Sequence, residues 1–318
     1  MERLILILAI SQTILGQSND IPYRLGKSLP MDKNSQLLWI QELGGVPMDK
    51  LKETRLHPAV NIYDDDFILP KKFDARQKWP QCASLNIIRT QGCCGSCWAV
   101  SAASVMTDRW CIHSKGKEHF HFGAYDLISC CDGCGAGCGP GLPGPTWMYW
   151  VKRGVSSGGP YNSNQGCHSY PMPAECPSNH ERLEAPDCSD MCQQGYNVTE
   201  SWKDRRYGRV AYSVPANEGK IMEEIYINGP VQAVMEVYAD LVDYTDGVYR
   251  HKTGGLKNGH GVKLIGWGVE DGTKYWLVAN SWGVDRGDDG FFKIVRGENH
   301  CKIEENVHAG LPSYLVRV

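Results

Sequence analysis

Polar and apolar positions follow three different regimes along the chain. Residues 97–111 carry Trp98, Val100, Ala102, Ala103, Val105, Met106 and Trp110, which leaves almost no polar face. That pattern predicts a helix buried on all sides. Residues 221–228 are apolar along one side and stop at Gly229-Pro230, which predicts a short amphipathic helix. Beyond it, residues 231–238, 261–267, 275–279 and 291–295 are β-branched and aromatic with glycine between them, and predict strands. Residues 130–200 are rich in Gly, Pro and Cys and read as loop. A helix-and-loop half followed by a strand half predicts an α+β fold. No internal repeat is visible.

The first 68 residues differ from the rest. Glu2 and Arg3 precede an apolar run over 4–10, and Gly16 is a small residue at a cleavage position, so residues 1–16 predict a signal peptide. The run is too short to span a bilayer and no later stretch is long enough, so no membrane partner is expected. Residues 17–68 hold no cysteine. Leu37, Leu38, Ile40, Leu43, Val46 and Leu51 give this stretch helical character, broken by Gly44-Gly45 and Pro47, and Asp64-Asp65-Asp66 forms an acidic loop. A cysteine-free leader ahead of a cysteine-rich body predicts a removable propeptide over 17–68 and a mature domain over 69–318. The plainer alternative is an ordinary N-terminal subdomain.

Composition sharpens this picture in two respects. The 318 residues carry 33 basic and 36 acidic side chains, a net charge of -3, which gives no electrostatic reason for a nucleic-acid partner. Cysteine is the informative count. All 14 lie at or beyond Cys82, and 13 of them fall within residues 82–192, a density that points to an oxidising compartment. A disulfide framework is the plain reading. Zinc is the competitor, because Cys130, Cys131, Cys134 and Cys138 have ligand spacing. The sequon Asn197-Val198-Thr199 marks Asn197 for glycosylation and agrees with a secreted or lysosomal destination.

The strongest chemical signal is Gln91-Gly92-Cys93-Cys94-Gly95-Ser96-Cys97-Trp98. Cys97 opens the apolar helix. A thiol there feels the positive end of the helix dipole and its free N–H groups, which favour the nucleophilic thiolate. Such a nucleophile needs a base and an orienting group downstream. His260, in Asn258-Gly259-His260-Gly261, and Asn280, in Ala279-Asn280-Ser281-Trp282, supply them. His260 would hold Cys97 as an ion pair and protonate a leaving amine, and Asn280 would orient the imidazole. Gln91 with the Cys97 N–H would stabilise an oxyanion, and Trp282 would shield the Asn–His bond. Taken singly, Cys97 could be half a disulfide, His260 a packed histidine, Asn280 a turn former and Gln91 a loop residue. Their joint occurrence in this order favours catalysis.

These stretches, with Phe73-Asp74-Ala75-Arg76, Gly266-Trp267-Gly268 and Tyr275-Trp276-Leu277-Val278-Ala279-Asn280-Ser281-Trp282, resemble the papain-like cysteine peptidases, and among them the cathepsin B-like branch, over residues 69–310. The resemblance implies a disulfide-rich two-lobe fold, with a helical left lobe carrying Cys97 and a β-barrel-like right lobe carrying His260 and Asn280. It implies peptide or protein substrates, cystatin-like inhibitors and no cofactor. It implies the pairs Cys82–Cys111, Cys94–Cys138, Cys130–Cys188, Cys131–Cys134 and Cys167–Cys192, which consume the supposed zinc ligands, so no metal is expected. Cys301 matches a free position. Gly141 would pair with an extended substrate beside Trp282, and Leu142, Pro143, Val234, Gly261 and Asn306 would line the S2 pocket.

The chain also departs from the branch's pattern. The occluding loop that gives these peptidases carboxydipeptidase activity has two adjacent histidines in the family. Here Cys176-Pro177-Ser178-Asn179-His180 has one, the loop is shorter, and Thr90 replaces an anchoring aspartate. Weakened carboxydipeptidase activity is expected. Cys93 and Cys176 lack family partners, and either bridge each other or stay as free or capped thiols. Pro140 and Arg286 are unusual at the cleft. Asn306 stands where a glutamate is typical, which predicts a preference for apolar over basic residues in S2. The reading is a cathepsin B-like cysteine endopeptidase zymogen. The alternative is a catalytically weak homologue that binds peptides or inhibitors.

Overall fold

A computed structural model of the chain describes residues 37, 40–41, 44–58, 68–175 and 183–314. The expectations for the signal peptide, for Leu38, Leu43 and the acidic loop, and for Cys176 and His180 lie outside the described residues.

The apolar helix forms as the pattern predicts. Helix α1 (Cys97–His113) is buried on every side through Ile112. It stops where Lys115 and Gly116 adopt positive φ, and the Gly116 N–H returns to the Cys111 carbonyl at 2.9 Å. Helix α2 (Ala124–Cys130) and helix α3 (Pro143–Lys152) pack beside it, and their buried side chains make one core with Trp98, Trp147 and Trp150. Helix α3 lies inside the stretch that reads as loop. Pro143 at its first position suits a helix start, since the missing N–H would be unpaired there anyway, but Pro143-Gly144-Pro145 hides the helical signal.

The second core is a sheet. Its strands are β1 (Phe73–Asp74), β2 (Tyr207–Val214), β3 (Val231–Tyr238), β4 (Val248–Tyr249), β5 (Leu256–Glu270), β6 (Thr273–Ala279), β7 (Phe291–Val295) and β8 (Asn306–Ser313). They run in the order β2-β8-β3-β5-β6-β7-β4, with β1 added to β5. Helix α4 (Glu218–Asn228) precedes β3, capped by the Asn217 side chain on the Lys220 N–H and ended by Gly229 at φ 100°.

The two cores are joined by buried charge. Arg109 of α1 is 0 % exposed and reaches into the sheet lobe. Its guanidinium donates to Glu224 Oε1 at 2.7 Å and to the carbonyls of Pro230, Gly229 and Gly310 at 2.7, 3.0 and 3.0 Å. One residue earlier, Asp108 accepts from Lys263 Nζ of β5 at 2.8 Å. Five disulfides, Cys82–Cys111, Cys94–Cys138, Cys130–Cys188, Cys131–Cys134 and Cys167–Cys192, staple the helical half. Cys93 is also disulfide-bonded.

Candidate active site

The start of α1 lies against the middle of β5. A Cβ placed on Gly261 would sit 3.0 Å from the Cys97 carbonyl, so helix and strand touch backbone to backbone. This contact sets Cys97 beside His260, which precedes Gly261 on β5. Cys97 and Cys301 are the unpaired cysteines among the described residues. His260 Nε2 lies 2.8 Å from Asn280 Oδ1, and the Ser281 N–H donates to that same oxygen at 2.8 Å. An oxygen that accepts from a backbone N–H can only accept from the imidazole, so Nε2 carries the proton and Nδ1 is left as acceptor. The Trp282 ring covers the imidazole at 4.8 Å between centroids.

Gln91 is wholly buried behind this pair. Its Nε2 donates to the Cys94 carbonyl at 2.9 Å, and its Oε1 accepts from Ser281 Oγ at 2.7 Å. Its backbone N–H bonds the Ser281 carbonyl at 2.9 Å. Ser281 was visible in the sequence only as a neighbour of Asn280; its hydroxyl fixes which end of the Gln91 amide points outward. Gln232 is a second residue that pattern alone does not reveal. From β3 its amide holds the Trp98 carbonyl at 2.8 Å and Ser101 Oγ at 2.7 Å, and Ser101 Oγ bonds the Cys97 carbonyl at 2.6 Å.

The leader runs through this cleft. The Gly45 carbonyl accepts from the Gly141 N–H at 2.8 Å, and the Val46 N–H donates to the Gly259 carbonyl at 3.2 Å. Asn258 Nδ2 bonds the Ile40 carbonyl. A Cβ on Gly45 would lie 2.0 Å from the Gly95 carbonyl oxygen and 2.7 Å from Cys97 Sγ, so only glycine allows this approach. Gly141 is equally confined, since its Cβ would strike the Trp98 ring at 2.3 Å. Pro140, whose effect on this edge the sequence left open, leaves the Gly141 N–H pointing at the bound chain. Val46 and Leu51 join the helical core.

This cover changes the electrostatics expected of a thiol at a helix start. Burial pushes the Cys97 thiol up to about 11, against the pull of the Gly261, Gly45, Trp98 and Cys97 backbone groups. Burial pushes His260 down to about 4, against its bond to Asn280. Both groups are therefore neutral under the leader, not the ion pair that the helix position predicts. Desolvation outweighs the N-terminal N–H groups in this closed arrangement.

Three of the residues expected to line S2 lie in one row across the sheet. Val234 on β3 pairs with Gly261 of β5 on one side and with Asn306 of β8 on the other. Leu142 packs on the core that contains Val234, and Pro143 is buried at the start of α3. The leader's Arg55 guanidinium meets the Glu305 carbonyl and lies 3.5 Å from Asn306 Oδ1. Asn197 is exposed on a loop.

The helical wall with its cysteine, the sheet wall with its histidine and asparagine, and the cleft between them agree with comparisons to known proteins. Residues 69–311 match the model of the papain family of cysteine proteases, and the chain belongs to that family. Within it, the chain is a cathepsin B-like cysteine peptidase. It is 45 % identical over 270 residues to a cathepsin B-like cysteine proteinase of Schistosoma japonicum, covering 82 % of this chain and 78 % of that one. It is 47 % identical over 244 residues to a gut-specific cysteine proteinase of Caenorhabditis elegans, covering 76 % and 73 %. The structure of procathepsin B S9 from Trypanosoma congolense superposes with a TM-score of 0.77 at 36 % identity, covering 88 % of this chain and 89 % of that one. The fold is α+β and papain-like.

Proposed function

We propose that the chain is the latent precursor of an exported, secreted or lysosomal endopeptidase that cuts peptide bonds through Cys97 and His260. The observation that carries this reading is the unpaired Cys97 at the start of α1, set against the strand whose His260 spends its Nε2 proton on Asn280. Once the leader leaves, water returns and the burial that holds both groups neutral is lifted. The Cys97 proton then passes to His260 Nδ1, and the helix start favours the thiolate.

The thiolate attacks the substrate carbonyl carbon, and the carbonyl electron pair moves to oxygen. That oxyanion is held by the Cys97 N–H and by the Gln91 Nε2 proton that the Cys94 carbonyl does not use. His260 gives its proton to the leaving amine as the C–N bond breaks, which leaves a thioester on Cys97. Water, deprotonated by His260, attacks the thioester, and the thiolate departs with the acid product released. The Gly141 N–H takes a substrate carbonyl as it takes that of Gly45.

Latency follows from the leader lying across the sulfur, and cleavage near Leu69-Pro70 removes it. A single histidine in the loop after Cys176, and Thr90 in place of an anchoring aspartate, support weak carboxydipeptidase action. Export supports glycan attachment at the exposed Asn197. Among the described residues no helix is long and apolar enough to cross a membrane.

The test is direct. Processed enzyme is expected to be labelled at Cys97 by an epoxide thiol inhibitor at acidic pH, and the intact chain to resist. Labelling of both alike, or of neither, contradicts the reading. A peptide with a free terminal carboxylate is expected to be cut no better than its amide.

A further inference from the structure

Ser96 stands at the N-cap of α1, where a serine ordinarily turns its hydroxyl onto the N–H of the second or third helical residue. Here it makes no such bond. Its hydroxyl lies 2.6 Å from the Tyr170 phenol, and the phenol donates to the Gln91 carbonyl at 2.8 Å. A phenol has one proton and a carbonyl only accepts. The Tyr170 proton is thus committed to Gln91, and Ser96 is the donor to Tyr170. Ala99 and Val100 N–H already bond the Ser96 carbonyl at 2.8 and 2.9 Å. The N–H groups of Cys97 and Trp98 are left to act on the sulfur.

All three polar groups are out of water: Gln91 and Ser96 are 0 % exposed and Tyr170 is 7 % exposed. Burial holds the phenol above the usual tyrosine range, so it stays protonated as a donor. The same stretch braces the turn at a second point. A Cβ on Gly92 would lie 2.0 Å from the Pro173 carbonyl oxygen, so Pro173 backs the turn directly. From the other side the Leu183 N–H donates to the Cys93 carbonyl at 3.0 Å.

We propose that Tyr170 is the positioning residue of the oxyanion hole. It fixes the Gln91 backbone and hence the Nε2 donor. This rests on the reading of Gln91 and the Cys97 N–H as the two donors.

Tyr170→Phe removes one oxygen and little volume. With full-length chain folded and then processed, kcat/KM for a peptide amide is expected to fall about tenfold, the worth of one hydrogen bond, mostly in kcat. Alkylation of Cys97 by iodoacetamide forms no oxyanion, and its rate and pH profile are expected to stay within about twofold. Unchanged alkylation on the same chain distinguishes positioning from misfolding. A loss in kcat/KM under about twofold, or a parallel fall in alkylation, overturns the role. Gln91→Ala in the same assay separates the two levels. If it costs nothing, the oxyanion reading itself fails. If it costs activity while Tyr170→Phe does not, only the role of Tyr170 fails.

Discussion

Two thiols are unpaired among the described residues, and their surroundings give them opposite chemistry. Cys97 has backbone N–H groups around its sulfur and a histidine on the facing strand. Cys301 sits on a left-handed turn at φ 51°, where burial and then the Glu236 and Asp240 carboxylates push its thiol up to about 12. Cys97→Ala is expected to abolish peptide hydrolysis and Cys301→Ala to preserve it; equal loss in both would remove the basis for the assignment. In the proposed mechanism His260 moves protons and Asn280 orients it. His260→Ala is therefore expected to cost on the order of 10²- to 10⁴-fold in kcat, and Asn280→Ala less. The reverse order, in steady-state rates, would count against these roles. Asn306 brings no charge to the row expected to line S2, and among the described residues the Arg55 guanidinium meets a carbonyl and an amide oxygen there. A buried substrate arginine would lack a counter-charge. Phe-Arg reporters are expected to turn over faster than Arg-Arg reporters, and parity would refute the preference.

At the scale of elements, the leader segment through Gly45 lies against the Cys97 sulfur and covers it. Gly45→Val places atoms where the Gly95 oxygen and the Cys97 sulfur already stand. It is expected to make the unprocessed chain reactive toward a thiol label, while the wild-type chain resists. The proton count under the leader is less obvious. Between about 4 and about 11 the covered pair holds one proton, on Cys97. The ion pair proposed for the uncovered site also holds one, on His260. Closing the cleft therefore moves a proton within the pair and takes none from solution, so the pair gives no acid trigger in mid-range. His308 behaves differently. Burial, and then Arg55 of the leader, hold it down to about 4. A histidine lowered in the closed state stabilises closure above its open-state pKa, and that contribution is lost as pH falls toward about 4. Leader release is expected to quicken with acid, and Arg55→Ala to flatten the dependence of release rate on pH between 7 and about 4. An unchanged slope would rule out this pair.

Some elements were legible because one rule sufficed. Helix α1 has an all-round apolar pattern with no competing signal. Strand β8 has Gly310 and Pro312, and nearly every side chain is buried, so no alternation marks it. It is a strand because β2 and β3 pair with it on both sides, which is tertiary information. The site divides in the same way. Gln91, Cys97, His260 and Asn280 are legible from motif and chemistry. Tyr170, Ser281 and Gln232 are not, because their contributions are hydrogen bonds made at sequence separations of 79, 190 and at least 131. Gly45 reads from sequence as a helix breaker, whereas its neighbour in space is a sulfur.

The whole molecule is two cores with unequal reinforcement. The five described bridges all lie within residues 82–192, and the sheet lobe has none among the described residues. Between the lobes stand Arg109 and the Lys263–Asp108 pair, all buried. Removing one partner of such a pair leaves a charge stranded, so Arg109→Ala is expected to cost about 3–5 kcal/mol, read as a lower midpoint in denaturant. A change below about 1 kcal/mol would show that Glu224 finds another partner.

The Arg109 anchor has a consequence for what can enter. A guanidinium held by five oxygens of the opposite lobe works as a rivet rather than a hinge pin. Such a rivet is expected to keep the walls at one spacing, so that the cleft acts as a slot. A polypeptide has to lie in it as a single extended thread, so a compact protein must fray locally before it can be cut. The segment through Gly45 and Val46 already threads this slot.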